Sequence, residues 1–454
     1  MRKGTALRVT KGETGLNTGG TAVAATRVRW HILLLVMIAT GLTYLDRVNL
    51  SIAGHSIESE MHFSTVTMGW IFSAFLLGYA LMQVPGGWAA DRFGPRRILT
   101  LAVLWWSAFT VLTGLVPSLP LVRWIGLVAA FMVVRFFVGV GEAACSPTNN
   151  KIVANWMGSE TRGLGTSFSI LGIGLGGAMT PPLIAWIMER WGWRSSFYFS
   201  GLIGVAFSIY WYFYVRNQPE EHPGVNEAEV QLIAAQRLEG NLQTQAQQPT
   251  PWRKLLRNRS VWGLLIGYFC QGYPIYFYYT WLFIYLVKVR GLTIEQGGIW
   301  GTLPYLSIAL LAPFGGIFSD YASRRWGKTR GRRSAVWLGM FISALFLWLG
   351  SRAPSSISAI LLLAVASGAN MFAATTFWAT CIDLTQQFTG SLSGLMNMFG
   401  NLGGWLSPIV TAYIATRFGW EQALDLAAVI TFAGGICFAL VSASHSLDEP
   451  AAAS

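Results

Sequence analysis

Charge is scarce in this sequence. Only 11% of its 454 residues are Asp, Glu, Lys or Arg, where a soluble domain carries roughly a quarter. That shortage excludes an ordinary water-soluble globule. Cysteine is scarce too: Cys145, Cys270, Cys381 and Cys437 are the four, each in an apolar stretch and none in C-x-x-C spacing. Neither a disulfide framework nor a thiolate metal site is expected, and no cofactor. Acids are fewer than bases, giving a net charge of +12. The cations fall in clusters between apolar runs rather than on one face, so nucleic acid is not the expected partner. No short apolar core with a cleavage site precedes the first long run, and a cleaved signal peptide is not expected.

Apolar and aromatic side chains are abundant instead: 53% of residues are hydrophobic, with 21 Trp and 27 Phe. Twelve apolar segments stand out, near 30–53, 67–90, 97–117, 122–146, 163–188, 195–215, 261–286, 297–319, 333–351, 355–381, 391–416 and 423–443. Each approaches the about 20 residues that a membrane-spanning helix needs. The expected fold is therefore an all-α membrane protein of twelve transmembrane helices. Residues 1–29 form an N-terminal tail, 30–215 a first six-helix bundle, 216–260 a central loop, 261–443 a second bundle and 444–454 a C-terminal tail. With the N-terminus placed in the cytoplasm, 23 of the 32 Lys and Arg fall on the cytoplasmic side and seven outside. That bias predicts both termini inside a plasma or inner membrane. Membrane lipid is one expected partner, and a monomer is expected.

The central loop carries "NEAEVQLIAAQRL" (226–238), which predicts a helix with Asn226 as N-cap and Glu229 as its capping-box partner. "WRKLLRNR" (252–259) is a basic amphipathic stretch suited to a membrane surface. The plain reading of the loop is a tether between two halves.

Those halves echo each other. "GGWAADRFGPRR" (86–97) parallels "GGIFSDYASRRWGKTRGRR" (315–333), and "GGAMTPPLIAWIMERWGW" (176–193) parallels "GGWLSPIVTAYIATRFGW" (403–420). Duplicated six-helix bundles related by a pseudo-two-fold axis can rock about a central cavity and expose it to each side in turn.

The stretch "GGWAADRFGPRR" resembles the loop signature of the major facilitator superfamily. "YLDRVNLSIA" (44–53), "MGWIFSAFLLGYALMQVPGGW" (68–88), "RFFVGVGEAACSPTNNKIVANW" (135–156) and the "FW" at 377–378 resemble its anion:cation symporter family. The resemblance implies symport of small organic anions, often sugar acids, with protons.

Four charges are embedded in the spans: Asp46, Arg47, Arg135 and Glu142, all in the first half and summing to zero. A charge at a helix centre costs roughly 2.5–3.5 kcal/mol by insertion scales, and such residues face a cavity or partners. Arg stays cationic and its planar fork suits a carboxylate; carboxylates can be neutralised by protons. From adjacency and spacing, Asp46 is expected to work with Arg47, and Glu142 with Arg135. The resemblance implies that Asp46 and Glu142 are proton sites and Arg47 the substrate arginine, with Arg135 a charge partner. The plain alternative is an ion-pair network that fixes helix packing.

Polar candidates for the cavity wall are Tyr44, Tyr79, Gln271, Tyr278, Tyr279, Trp281, Thr375, Thr376, Trp378, Asn397 and Asn401. Rings and amides suit a polyhydroxylated ligand. Pro274 in the seventh segment is a candidate kink. The fifth segment lacks the amide that the family often carries there, leaving Ser167 or Ser169 as substitutes. Asp91, Arg92, Arg96, Arg97 and Asp320 are expected at a cytoplasmic gate.

The expected function is proton-coupled import of a small organic anion, such as a hexuronate or hexarate. The alternatives are an exchanger or uniporter of the same fold without proton coupling, and a sensor that binds the anion without moving it. No residue pattern suggests an enzyme.

Overall fold

A computed structural model describes residues 24–157, 162–241, 251–385 and 388–444. The described residues are helical with no strand. Hydrocarbon offers backbone groups no partners, so each apolar run must satisfy its own, and the α-helix does so within one segment. The helices are α1 (Val28–Glu60), α2 (Thr65–Phe93), α3 (Pro95–Leu115), α4 (Leu127–Glu142), α5 (Cys145–Trp156), α6 (Arg162–Trp191), α7 (Trp193–Tyr214), α8 (Glu227–Asn241), α9 (Arg259–Thr280), α10 (Ile294–Trp300), α11 (Thr302–Trp326), α12 (Lys328–Ser351), α13 (Ser356–Leu384), α14 (Thr389–Arg417) and α15 (Trp420–Cys437). Short helical turns join some of them.

Ten helical stretches among the described residues are long and apolar enough to cross a membrane. The other two expected spans are α9 and α14, helices of 22 and 29 residues. Tyrosines, Gln271, Asn397 and Asn401 make these two less apolar, because they face the centre of the molecule rather than lipid.

The repeat is visible in the packing. α1 lies against α6 and α2 against α4 in the first half; α9 lies against α14 and α11 against α13 in the second. The turns repeat as well. Gly94 and Gly327 end α2 and α11 at φ 86° and 83°, and Gly192 and Gly419 precede α7 and α15 at φ 78° and 104°. A Cβ is disfavoured there, so glycine recurs at equivalent corners.

Several boundaries differ from the sequence reading. α1 continues to Glu60, two turns beyond the expected end, and carries Glu58 with it. The fourth span is two helices, broken at Ala143 and Ala144 directly after Glu142. α9 runs through Pro274; the seventh span is interrupted later, at Trp281, and resumes as a short turn and a π-helical turn (Tyr285–Val289).

Spans alternate in direction, so both described chain ends lie on one face, here called the terminal face. At the opposite face the two halves are tied together. Lys288 Nζ lies 2.8 Å from Glu58 Oε2, Ser51 Oγ donates to the Thr280 carbonyl at 2.7 Å, and Ser73 Oγ donates to the Trp405 carbonyl at 2.8 Å.

The start of the central loop is more than a tether. Asn226 accepts from the Glu229 amide at 3.0 Å, as an N-cap should. The Glu229 carboxylate, however, turns to the start of α1. It accepts from Thr26 Oγ1 at 2.6 Å and from the Val28 and Arg29 amides at 3.3 Å. A buried carboxylate at a helix N-terminus meets the positive end of the dipole. Asn217 likewise accepts from the Arg96 amide at the start of α3, at 3.0 Å. His222 packs its ring against Trp156 and Tyr214, and its Nδ1 accepts from the Gly224 amide at 3.0 Å. Burial, then the Arg216 cation, hold this imidazole below its ordinary pKa range.

Candidate functional site

The embedded charges gather where α1, α2 and α4 meet. Glycine lets α2 and α4 touch: a methyl at Gly78 would run into the backbone of Phe136, and one at Gly139 into that of Phe75. α4 therefore delivers Arg135 and Glu142 beside α1 and the aromatic face of α2.

The pairing differs from the expected one. Arg47 does not pair with its neighbour Asp46; its Nε donates to Glu142 Oε2 at 2.9 Å. Residues seven apart on one helix stand about 10.5 Å from each other along the axis, too far for Arg135 to chelate Glu142, and the cross-helix partner wins. The Glu142 side chain is fully buried, while that of Arg47 keeps 10% exposure. Arg47 also sits over three rings, 5.2 Å from Tyr44, 5.1 Å from Phe75 and 4.6 Å from Tyr79. Cation–π contact compensates a desolvated guanidinium in part.

Arg135 shares one of those rings, lying 5.3 Å from Phe75. It is 2% exposed, yet its Nε and Nη1 have no hydrogen-bond partner. Asp46 is 3% exposed, and its Oδ1 also lacks a partner.

A small cavity of about 20 Å³ lies beside this cluster, room for about one water in this closed arrangement. Arg47 and Arg135 line it, with Phe75 from α2 and Tyr276, Tyr279 and Thr280 from α9. It lies between the two halves. Neither Asp46 nor Glu142 is on its wall; the Glu142 carboxylate stands behind Arg47.

The other candidates are spread more widely. Tyr44 and Tyr79 form the aromatic bed under Arg47. Tyr278 points instead into a second, smaller cavity, shared with Ser51 and Tyr305. Trp281 is buried, its indole donating to the Pro408 carbonyl at 3.2 Å. Gln271 donates to Asn370 at 2.6 Å inside the second half. Thr375 bonds back to the Phe372 carbonyl, and Trp378 is 42% exposed with its indole on Tyr268. Asn401 accepts from the cavity-lining Tyr276 hydroxyl at 3.1 Å. Asn397 reaches across the halves to Gln83 at 3.2 Å. Ser169 Oγ is buried without a partner; the side chain of Ser167 lies outside the described residues.

At the terminal face the aspartates pair within their own halves. Asp91 meets Lys151 at 2.9 Å. Asp320 meets Arg332 at 2.8 Å, which also holds Asp383 at 2.8 Å. Arg92 lies over Trp88 and Phe93, and Arg96 over Tyr212; Arg97 is exposed. Phe75, Tyr276 and Thr280 are site residues that the sequence reading did not single out.

Comparison with known proteins identifies the family. The Major Facilitator Superfamily pattern matches residues 36–408. The chain is 33% identical over 407 residues to the probable galactarate/D-glucarate transporter GudP of Escherichia coli strain K12, covering 87% of this chain and 88% of that protein. It is 30% identical over 423 residues to the probable sulfoacetate transporter SauU of Cupriavidus necator, covering 92% and 95%. The fold matches a solved bacterial homolog of the human lysosomal transporter Spinster, in an inward-facing, unoccupied conformation. The TM-score is 0.74 at 17% identity, over 92% of this chain and 98% of that one. These names describe transporters, not enzymes.

Proposed function

Because the chain belongs to the Major Facilitator Superfamily, and to the anion:cation symporter family within it, we propose that it is a secondary active importer of a small organic anion. A sugar acid such as a hexarate or hexuronate is the proposed substrate, carried with protons by alternating access. The relatives named for galactarate/D-glucarate and sulfoacetate transport support the anionic class. The terminal face is assigned to the cytoplasm from the Lys and Arg distribution. The contacts that tie the halves together at the opposite face are then those of a transporter closed to the outside.

One observation carries the reading: Arg47 stands on the wall of a cavity between the halves while its charge is held by Glu142 behind it. A substrate carboxylate arriving at Arg47 competes with Glu142 for the same guanidinium. A proton on Glu142 removes that competitor and frees Arg47 for the substrate. Loss of the substrate restores the internal pair once the proton leaves. Asp46, buried with its Oδ1 unpartnered, is the second proposed proton site. Rocking of the two halves then carries a compensated cluster from one side to the other.

A thermal-shift screen of organic acids on the purified protein tests the anion site, since a ligand at 100 times its Kd stabilises the bound state by about 2.7 kcal/mol. Sugar acids should raise the unfolding temperature and their neutral parent sugars should not. An equal response to both, or a response that survives Arg47→Ala, would remove the role assigned to Arg47.

A further inference from the structure

We propose that the site is built for a dianion, with Arg135 as the receptor for a second acid group on the substrate. This rests on the anion-transport reading above and narrows it.

Arg47 and Arg135 lie 5.1 Å and 5.3 Å from the centroid of the same Phe75 ring. Their guanidiniums are therefore no farther apart than those two distances end to end. Both line one cavity. Two like charges lining one low-dielectric site repel unless anions stand with them. Glu142 does so for Arg47 from behind, and the cavity side of the pair is left for another source of charge.

The two arginines differ in how far they are satisfied. Arg47 has a charged partner at 2.9 Å and three rings. Arg135 is 2% exposed and keeps two N–H groups, Nε and Nη1, without a partner. Buried donors left unpaired are costly, and a guanidinium fork is matched by a carboxylate or sulfonate with two oxygens. A ligand with one acid group on Arg47 leaves Arg135 as it is. A ligand with acid groups at both ends of a short carbon chain satisfies both. Charge balance agrees: when both embedded carboxylates are protonated, two fixed cations remain and a dianion neutralises them one for one. On the facing wall, Tyr276, Tyr279 and Thr280 offer rings and a hydroxyl to the middle of the chain.

The test compares two six-carbon probes of the same stereochemistry, galactarate with two carboxylates and galactonate with one, in competition for counterflow by the full-length protein in proteoliposomes. The dianion should bind roughly tenfold to a hundredfold more tightly, the worth of one charged hydrogen-bonded contact. Arg135→Gln should lower dianion affinity at least tenfold more than monoanion affinity. If that variant does not fold, sulfoacetate against glycolate on the wild-type protein supplies a second matched pair. A ratio near one, or one favouring the monoanion, with binding still dependent on Arg47, would overturn the dianion site while leaving the anion transporter standing. Binding of neither probe class would overturn both.

Discussion

Replacing Glu58 by Gln should loosen the closure of the opposite face. Glu58 ends α1 with its side chain 6% exposed, and Lys288 of the second half reaches it at 2.8 Å. Thr65 Oγ1 donates to the other carboxylate oxygen at 2.8 Å. Gln keeps a carbonyl for Thr65 and removes only the charge seen by Lys288. The contact is an ion pair, Glu58 Oε2 having no hydrogen-bond partner, and breaking a fully buried pair costs about 3–5 kcal/mol. The Lys288 side chain is 34% exposed, and solvent screening brings the expected loss to about 1–2 kcal/mol. Since about 1.4 kcal/mol is a factor of ten, the closed population should fall by roughly that factor relative to states open at this face. Spin labels at Arg123 and Glu295, exposed positions on different halves, would report the separation by electron–electron resonance. A longer-distance population should grow in Glu58→Gln and in Lys288→Met, and the double variant should add nothing further. Unchanged distance distributions in both single variants would refute the role of this pair as a lock.

Arg47→Ala should destabilise the protein by about 3–5 kcal/mol, because it leaves Glu142 buried and unpaired; in detergent unfolding, Glu142→Gln on top should cost less than its separate effect by about 0.5–3 kcal/mol, and simple additivity would contradict the pairing. Gly404→Ala should weaken anion binding with little change in overall secondary structure, since its methyl would overlap the ring of Tyr276, and unchanged binding isotherms would argue against a rigid ring at that wall. Burial, then the Arg216 cation, hold the His222 pKa below its ordinary range, so its contribution is present above the ordinary histidine value of about 6.5 and falls off as pH drops below it. Amide protection across residues 222–229, after division by the intrinsic base-catalysed exchange rate at each pH, should therefore fall between pH 7.5 and 5.5, and His222→Gln should flatten that dependence.

The architecture was legible because the apolar runs are long and the repeat preserves glycine at the same corners, Gly94 with Gly327 and Gly192 with Gly419. The charged cluster was legible because charge is so rare: four ionisable residues inside twelve spans have few ways to be accommodated. Their partnership was not. Adjacency favoured Asp46 with Arg47, but neighbours on a helix diverge by about 100°, and only the contact of α1 with α4 assigns Arg47 to Glu142. The aromatic wall shows a similar limit. α9 carries tyrosine on more than one side, so periodicity alone does not say which face points inward. The structure selects Tyr276, Tyr279 and Thr280, spaced i, i+3, i+4 on one face, and turns Tyr278 to the other cavity. Glu58 was not singled out, and Glu229 was given only a local role. Glu58 lay past the expected end of α1, and Glu229 looked like a local cap when its carboxylate serves the start of α1, about 200 residues away.

Uptake of labelled galactarate into proteoliposomes under an imposed pH gradient, acid outside, compares wild type with Glu142→Gln most directly. Accumulation above equilibrium in wild type, lost in the variant while its counterflow persists, is the outcome expected if protons and anion compete for Arg47 through Glu142. Gradient-driven accumulation that survives in Glu142→Gln would contradict it.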